Sequence, residues 1–178
     1  GIDIVSAQYK IASGESIENM KPIQDGYAIE VRVTAEKAAM DSKGIMQLVP
    51  NPGLVTECVL PEGDNVEIMA MIAAGKEVSP YYDSLIAQII IKGTDREDTV
   101  EKLYAYLDSV VIRGIATNIP LLKRILKDET FRQGVYDTNY LPKLMAELDQ
   151  DALIAEMEAA ATVAGAGSTA SIKVEGSD

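Results

Sequence analysis

Hydrophobic and polar positions along this chain repeat with two different periods, and the strongest signal is a run that is apolar nearly throughout. From Leu85 to Lys92 only Gln88 interrupts it. That length, with its clustered isoleucines, predicts a strand buried on both faces rather than a short helix. The segment just before it, Ser79-Pro80-Tyr81-Tyr82-Asp83-Ser84, crowds a proline, two tyrosines and a carboxylate at the strand's entrance. A buried strand fixes its own ends in space, so polar groups placed there are well aimed. The same residues also read more simply, as an aromatic lid over the strand with Asp83 bonding backbone amides.

The cleanest alternation runs from Tyr27 to Thr34. Tyr27, Ile29, Val31 and Val33 take one face, and Ala28, Glu30, Arg32 and Thr34 the other. Upstream, Asp3 is placed to cap a helix with apolar Ile4, Ala7 and Ile11, which Ser13-Gly14 ends. Pro50-Asn51-Pro52-Gly53 is a strong breaker. Leu54–Leu60 and Val66–Ala73 then read as two strands of a hairpin turned by Pro61-Glu62-Gly63-Asp64-Asn65. Beyond the central run, Thr94 and Glu97 have capping-box spacing, and Val100, Leu103, Tyr104 and Leu107 line one side of the helix they open. Val110-Val111-Ile112 returns as a strand. Asn118 caps a helix with Pro120 in its first turn, Phe131 sits in a short helical turn closed by Gly134, and Thr138 opens a helix through Met145. Hairpin strands followed by grouped helices make an α+β pattern. The expected domain covers residues 1–146. Residues 147–178 form an acidic, Ala-rich tail or the start of a linker or next domain, with a helix over Asp149–Ala164 and a short strand over Ser171–Val174. The tail's seven acids against Lys173 carry half of the chain's net charge, and it is expected to be weakly ordered alone.

Composition narrows the function. The 178 residues are 47% hydrophobic and 25% charged, which is globular. A net charge of −12 without a Lys/Arg cluster argues against nucleic acid and against anionic membranes as partners. The chain has one cysteine, Cys58, and no histidine. A reducing compartment follows from the first, cytoplasm or organelle matrix, and the second removes His-based triads and metal sites. Gly1 stands where an initiator Met is usual, so the chain is expected to be a fragment.

Three groups invite a chemical role. Glu30 and Arg32 lie about 6.5 Å apart on one strand face by two strand rises, and alone they read as a solvated charge pair worth little. Tyr81-Tyr82-Asp83 marks the strand entrance. Cys58 has no basic neighbour in sequence to lower its pKa, so it is rejected as a nucleophile. The residues alone stop at a soluble α+β domain with a candidate Arg/Asp/Tyr site.

Several motifs in order carry more. Gly26-Tyr27-Ala28-Ile29-Glu30-Val31-Arg32, Pro80-Tyr81-Tyr82-Asp83-Ser84-Leu85-Ile86, Gly114-Ile115-Ala116-Thr117-Asn118, Phe131-Arg132-Gln133-Gly134 and Thr138-Asn139-Tyr140-Leu141 together resemble the C-terminal subdomain of biotin carboxylase. The resemblance spans residues 1–145 and implies an antiparallel sheet or partial barrel with helices packed against it. It also implies a ligase that uses ATP and bicarbonate to carboxylate biotin, within acetyl-CoA, propionyl-CoA or pyruvate carboxylases. ATP and magnesium would be bound by an upstream ATP-grasp domain, and biotin would arrive on a carrier protein. The implied partners are the rest of the biotin carboxylase chain, a biotin carboxyl carrier domain, a carboxyltransferase and a second copy in a homo-oligomer. Arg32 matches the family arginine that faces the biotin ureido oxygen. Asp83 falls where an acid would hold that guanidinium, and Tyr82 where an aromatic would wall the biotin pocket. Gln88 replaces a common lysine, and Glu67 and Met69 replace the Arg and acid of the strand around which family members often dimerise. The rival reading is a non-catalytic scaffold that keeps this fold and binds partner subunits.

Overall fold

A computed structural model describes residues 2–162. Its elements, in chain order, are α1 (Ile4–Ala12), β1 (Tyr27–Thr34), β2 (Glu36–Met40), β3 (Met46–Pro50), β4 (Gly53–Leu54), β5 (Glu57–Val59), β6 (Val66–Ala70), β7 (Glu77–Val78), β8 (Leu85–Gly93), α2 (Arg96–Ser109), β9 (Val111–Arg113), α3 (Ile119–Lys127), α4 (Glu129–Gln133), α5 (Tyr140–Glu147) and α6 (Gln150–Thr162). No helix among the described residues is long and apolar enough to cross a membrane.

The expected α+β architecture is present. β8 is the centre of a three-stranded antiparallel sheet ordered β1-β8-β6. Ala87, Ile89 and Ile91 on one face of β8 are fully buried, along with Val31 and Val33 of β1 and Val100, Leu103 and Leu107 of α2. Burial on both faces, expected from the apolar run, holds for one face only. On the other, Gln88 and Ile90 are half-buried and Lys92 is exposed. Gln88 is the residue that marks this open face, which it shares with Glu30 and Arg32 of β1 and Glu67 and Met69 of β6.

The expected hairpin between Leu54–Leu60 and Val66–Ala73 does not form. β5 pairs with β9, placing Cys58 opposite Ile112, while β6 pairs with β8 and β4 with β7. Val66 and Ile68 pack against the core by extending the sheet, which a three-residue strand would not offer them, so tertiary burial overrides the short turn. β2 and β3 form the hairpin that the sequence hid. Glu36-Lys37-Ala38-Ala39 has weak strand propensity, yet Ala38 and Met46 are buried on its inner side.

Helix starts differ from expectation in detail. Asp3 caps α1 as expected, accepting the Ser6 N–H at 2.9 Å, although no residue of α1 is buried. For α2 the cap moves one residue on. Asp95 accepts the Asp98 N–H at 2.9 Å, and the Asp98 carboxylate accepts the Thr94 N–H at 2.8 Å. Glu97, freed from capping, pairs with Arg132 at 2.6 Å. α5 begins at Tyr140, not at Thr138. Arg96 ties these ends together, with its guanidinium donating to the Tyr27 hydroxyl at 2.6 Å and to the Arg132 carbonyl at 3.0 Å.

α6 falls within the helix expected over Asp149–Ala164, and its packing is what the sequence did not show. Leu153 and Met157 are both 0% exposed and join Ala38, Met46 and Leu121 in a second core. Arg113 donates to the Ala160 carbonyl at 2.7 Å and the Gly114 N–H to that of Ala161 at 3.0 Å, closing the last turn. The helix was legible in its alanines; its two core residues are too sparse to read as a packed face. The expected strand at Ser171–Val174 lies outside the described residues.

Two stability outcomes follow. Met157→Ala should cost about 2–5 kcal/mol by denaturant unfolding, because it removes a fully buried side chain and leaves a cavity; a loss below about 0.5 kcal/mol would show α6 not to be held there. Gly114→Ala should destabilise by more than about 1 kcal/mol, since its φ is +93° and a Cβ would collide with the Leu54 carbonyl oxygen. An unchanged midpoint would contradict that packing.

Candidate functional site

The open face of the sheet ends in a cavity of about 460 Å³ at the junction of β1, β7 and the start of β8. Ile72, Val78, Leu85 and Ile86 supply its apolar lining, and Arg32, Glu77, Tyr82 and Asp83 its polar and aromatic margin. The alternation of β1 puts Arg32 here: Val31 and Val33 turn into the core, so Arg32 must turn away from it. Its cross-strand neighbour is Gln88, which is paired in turn with Met69 on the other side.

Arg32, Tyr82 and Asp83 are thus brought together around one cavity. The Arg32 guanidinium lies 3.9 Å from the Asp83 carboxylate, with side chains 60% and 74% exposed. An ion pair so open and so long contributes no more than about 1 kcal/mol. Asp83 also accepts the Leu85 N–H at 2.8 Å, which is the amide-bonding half of the simpler reading. The lid half does not hold. Tyr81 and Tyr82 are 90% and 84% exposed, so they stand beside the strand rather than over it. Tyr82 still borders the cavity, and Tyr81 does not.

The expected Glu30–Arg32 pair is replaced. Glu30 accepts a hydrogen bond from the Gln88 amide at 2.9 Å, and Arg32 turns to Asp83. Cys58 is half-buried, and burial pushes its thiol pKa up, which works against a thiolate nucleophile. The sequence did not single out Ile72, Val78 or Glu77 for the site. β7 is only two residues long, too short for a periodic signal; the available cue was Val78 immediately before Ser79-Pro80.

Two polar residues near the site have roles that the sequence reading did not give them. Asn118 stands at the N-terminus of α3 as expected but makes no side-chain cap bond. It turns to β1, where it accepts the Thr34 N–H at 3.0 Å and donates to the Arg32 carbonyl at 3.0 Å. Glu36 accepts from the Thr34 hydroxyl at 2.7 Å and the Ser84 hydroxyl at 2.9 Å. Neither role has a local sequence signature, since the partners lie up to 86 residues away.

A guanidinium beside an apolar recess suits a small, flat, partly apolar ligand that carries negative charge on one oxygen. One guanidinium and two carboxylates do not suit a magnesium triphosphate, whose charge calls for several cations or a nest of backbone amides.

Comparison with known proteins gives a consistent picture. Residues 30–143 match the family described as the biotin carboxylase C-terminal domain. The chain is 37% identical over 143 residues to biotin carboxylase 2 of Bacillus subtilis, covering 79% of this chain and 31% of that one. It is also 37% identical over 143 residues to the 2-oxoglutarate carboxylase small subunit of Hydrogenobacter thermophilus, covering 79% of this chain and 29% of that protein. The solved biotin carboxylase subunit of pyruvate carboxylase superposes with a TM-score of 0.66 at 37% identity, covering 82% of this chain and 32% of its own. A single-chain, multi-domain long-chain acyl-CoA carboxylase superposes with a TM-score of 0.68 at 30% identity, covering 83% of this chain and 17% of its own. The chain therefore spans about a third of the length of the curated relatives it matches. With the match covering most of the described sheet and helices, the chain belongs to the biotin carboxylase C-terminal domain family.

Proposed function

We propose that this chain forms the biotin-facing wall of an ATP-dependent biotin carboxylase, with Arg32 as the group that acts on biotin. The observation that carries the reading is the placement of Arg32 at the mouth of an apolar-lined cavity, with Asp83 beside it and Tyr82 on the same rim. Bound biotin would supply a ureido nitrogen as the acceptor of a carboxyl group. Arg32, fixed at the strand's open face, would stabilise negative charge as it builds on the ureido oxygen, which makes the nitrogen nucleophilic. Asp83 would orient the guanidinium without neutralising it, because their contact is long and solvated. Ile72 and Ile86 would exclude water from the apolar side of the ring. ATP and magnesium belong, on this reading, to the part of the enzyme that this chain does not span. The carrier domain, the carboxyltransferase and a second copy of the chain are its expected partners. The scaffold alternative requires none of these groups to converge.

The test is Arg32→Ala in the assembled carboxylase. Biotin-dependent turnover should fall about 10²–10³-fold, the usual cost of removing a donor aimed at developing charge. Stability should change by less than about 1 kcal/mol, because Arg32 is exposed. Arg32→Lys keeps the charge but loses the planar fork and should recover only part of the rate. Full activity in a folded Arg32→Ala enzyme would remove the site assignment and leave the scaffold reading. A separate outcome concerns the nucleotide. Calorimetry of this chain with magnesium-ATP should show no saturable binding, and a micromolar isotherm would place nucleotide contacts here after all.

A further inference from the structure

The β1–β8 ladder slips at one place, and that place lies between the two charged residues of the site. Val33 faces Ala87, but Thr34 faces Leu85, so Ile86 is an extra residue on β8. A bulge of this kind leaves ladder groups unpaired and bends the strand that carries it. Arg32 lies just before the slip on β1 and Asp83 two residues ahead of β8, so an unbroken run of ladder does not set their separation. Nor does their own ion pair, which is long and exposed on both sides.

Two side chains add to the backbone pairing around the slip. The Asn118 amide pairs with the backbone of Arg32 and Thr34 as a neighbouring strand would, accepting from one and donating to the other at 3.0 Å each. The Asn118 N–H adds a bond to the Thr34 carbonyl at 3.2 Å. On the other side, the Glu36 carboxylate spans the gap, one oxygen on the Thr34 hydroxyl and one on the Ser84 hydroxyl. The Ala35 N–H donates to the Ser84 carbonyl at 2.8 Å, fixing the same two segments through the backbone. Ser84 follows Asp83 directly, and Thr34 lies two residues beyond Arg32.

We propose that Glu36, with Asn118 at the start of α3 bracing β1 as its counterpart, is a positioning residue that sets where Arg32 stands relative to Asp83 and the cavity. The proposal deepens the reading of Arg32 as the biotin-facing group and rests on it. Glu36 and Asn118 do not line the cavity; they act through the backbone at residues 32–34 and through Ser84. Holding a catalytic group to within a fraction of an ångström is worth such a brace, since a misplacement of about 1 Å can cost about 10²-fold in rate.

The experiment is a double-mutant cycle in the assembled carboxylase, with Glu36→Ala, Glu36→Gln, Arg32→Ala and the Arg32→Ala/Glu36→Ala pair. The readouts are kcat and KM for biotin and thermal unfolding. Glu36→Ala should lower kcat by about 10–10²-fold. Glu36→Gln, whose amide can still meet both hydroxyls, should recover most of that loss. In the Arg32→Ala background, Glu36→Ala should cause no further fall, because the two act along one route and their effects do not add. An equal fold loss in both backgrounds would reduce Glu36 to a general structural role. Wild-type turnover in Glu36→Ala, with Arg32→Ala impaired, would overturn the brace alone. Wild-type turnover in Arg32→Ala would overturn the functional reading beneath it. Should Glu36→Ala fail to fold, Ser84→Ala removes one arm of the brace and is judged by the same outcomes.

Discussion

The burial of one face of β8 against α2 is the constraint from which the rest of the site derives. Ala87, Ile89 and Ile91 have no other place to go, and their burial fixes the register of β1 through Val31 and Val33. A strand with one face committed to the core has the other face committed to solvent. A slip of one residue would bury Arg32 unpaired and expose Val31 and Val33, at a cost of several kcal/mol. Arg32 therefore faces outward because its neighbours are apolar, before any consideration of what it does.

The cavity arises where this regularity stops. Ile86 enters as an extra residue, and beyond it the backbone pairing of Thr34 with Leu85 and of Ala35 with Ser84 is reinforced by the Asn118 and Glu36 side chains. Apolar residues near the bulge line a recess, and polar ones rim it. Bulges recur beside functional sites because they re-aim side chains without loosening the sheet behind them. Here the sheet behind is fully buried on its inner face at Val33, Ala87 and Ile89.

Much of the fold was legible in periodicity. β1, β8, α2 and α3 follow their apolar spacing closely, and Arg32, Tyr82 and Asp83, which meet at the candidate site, were visible as polar and aromatic groups at the ends and on the open face of those strands. What the sequence concealed was long-range choice. β5 and β6 each had two plausible partners, and their assignment to β9 and β8 depended on burial that no local window contains. The capping role expected of Asn118 was displaced by a strand 84 residues away. α6 hid its packing because two core contacts, Leu153 and Met157, suffice to dock an otherwise Ala-rich helix. The half-polar face of β8 was announced by Gln88 alone.

The most direct test of the account is a crystal structure of the assembled carboxylase with biotin bound. The account requires the ureido oxygen to accept a hydrogen bond of about 2.9 Å from the Arg32 guanidinium, with the apolar side of the ring against Ile72 and Ile86. Biotin ordered elsewhere, with Arg32 still turned toward Asp83 and the cavity holding only solvent, would contradict it.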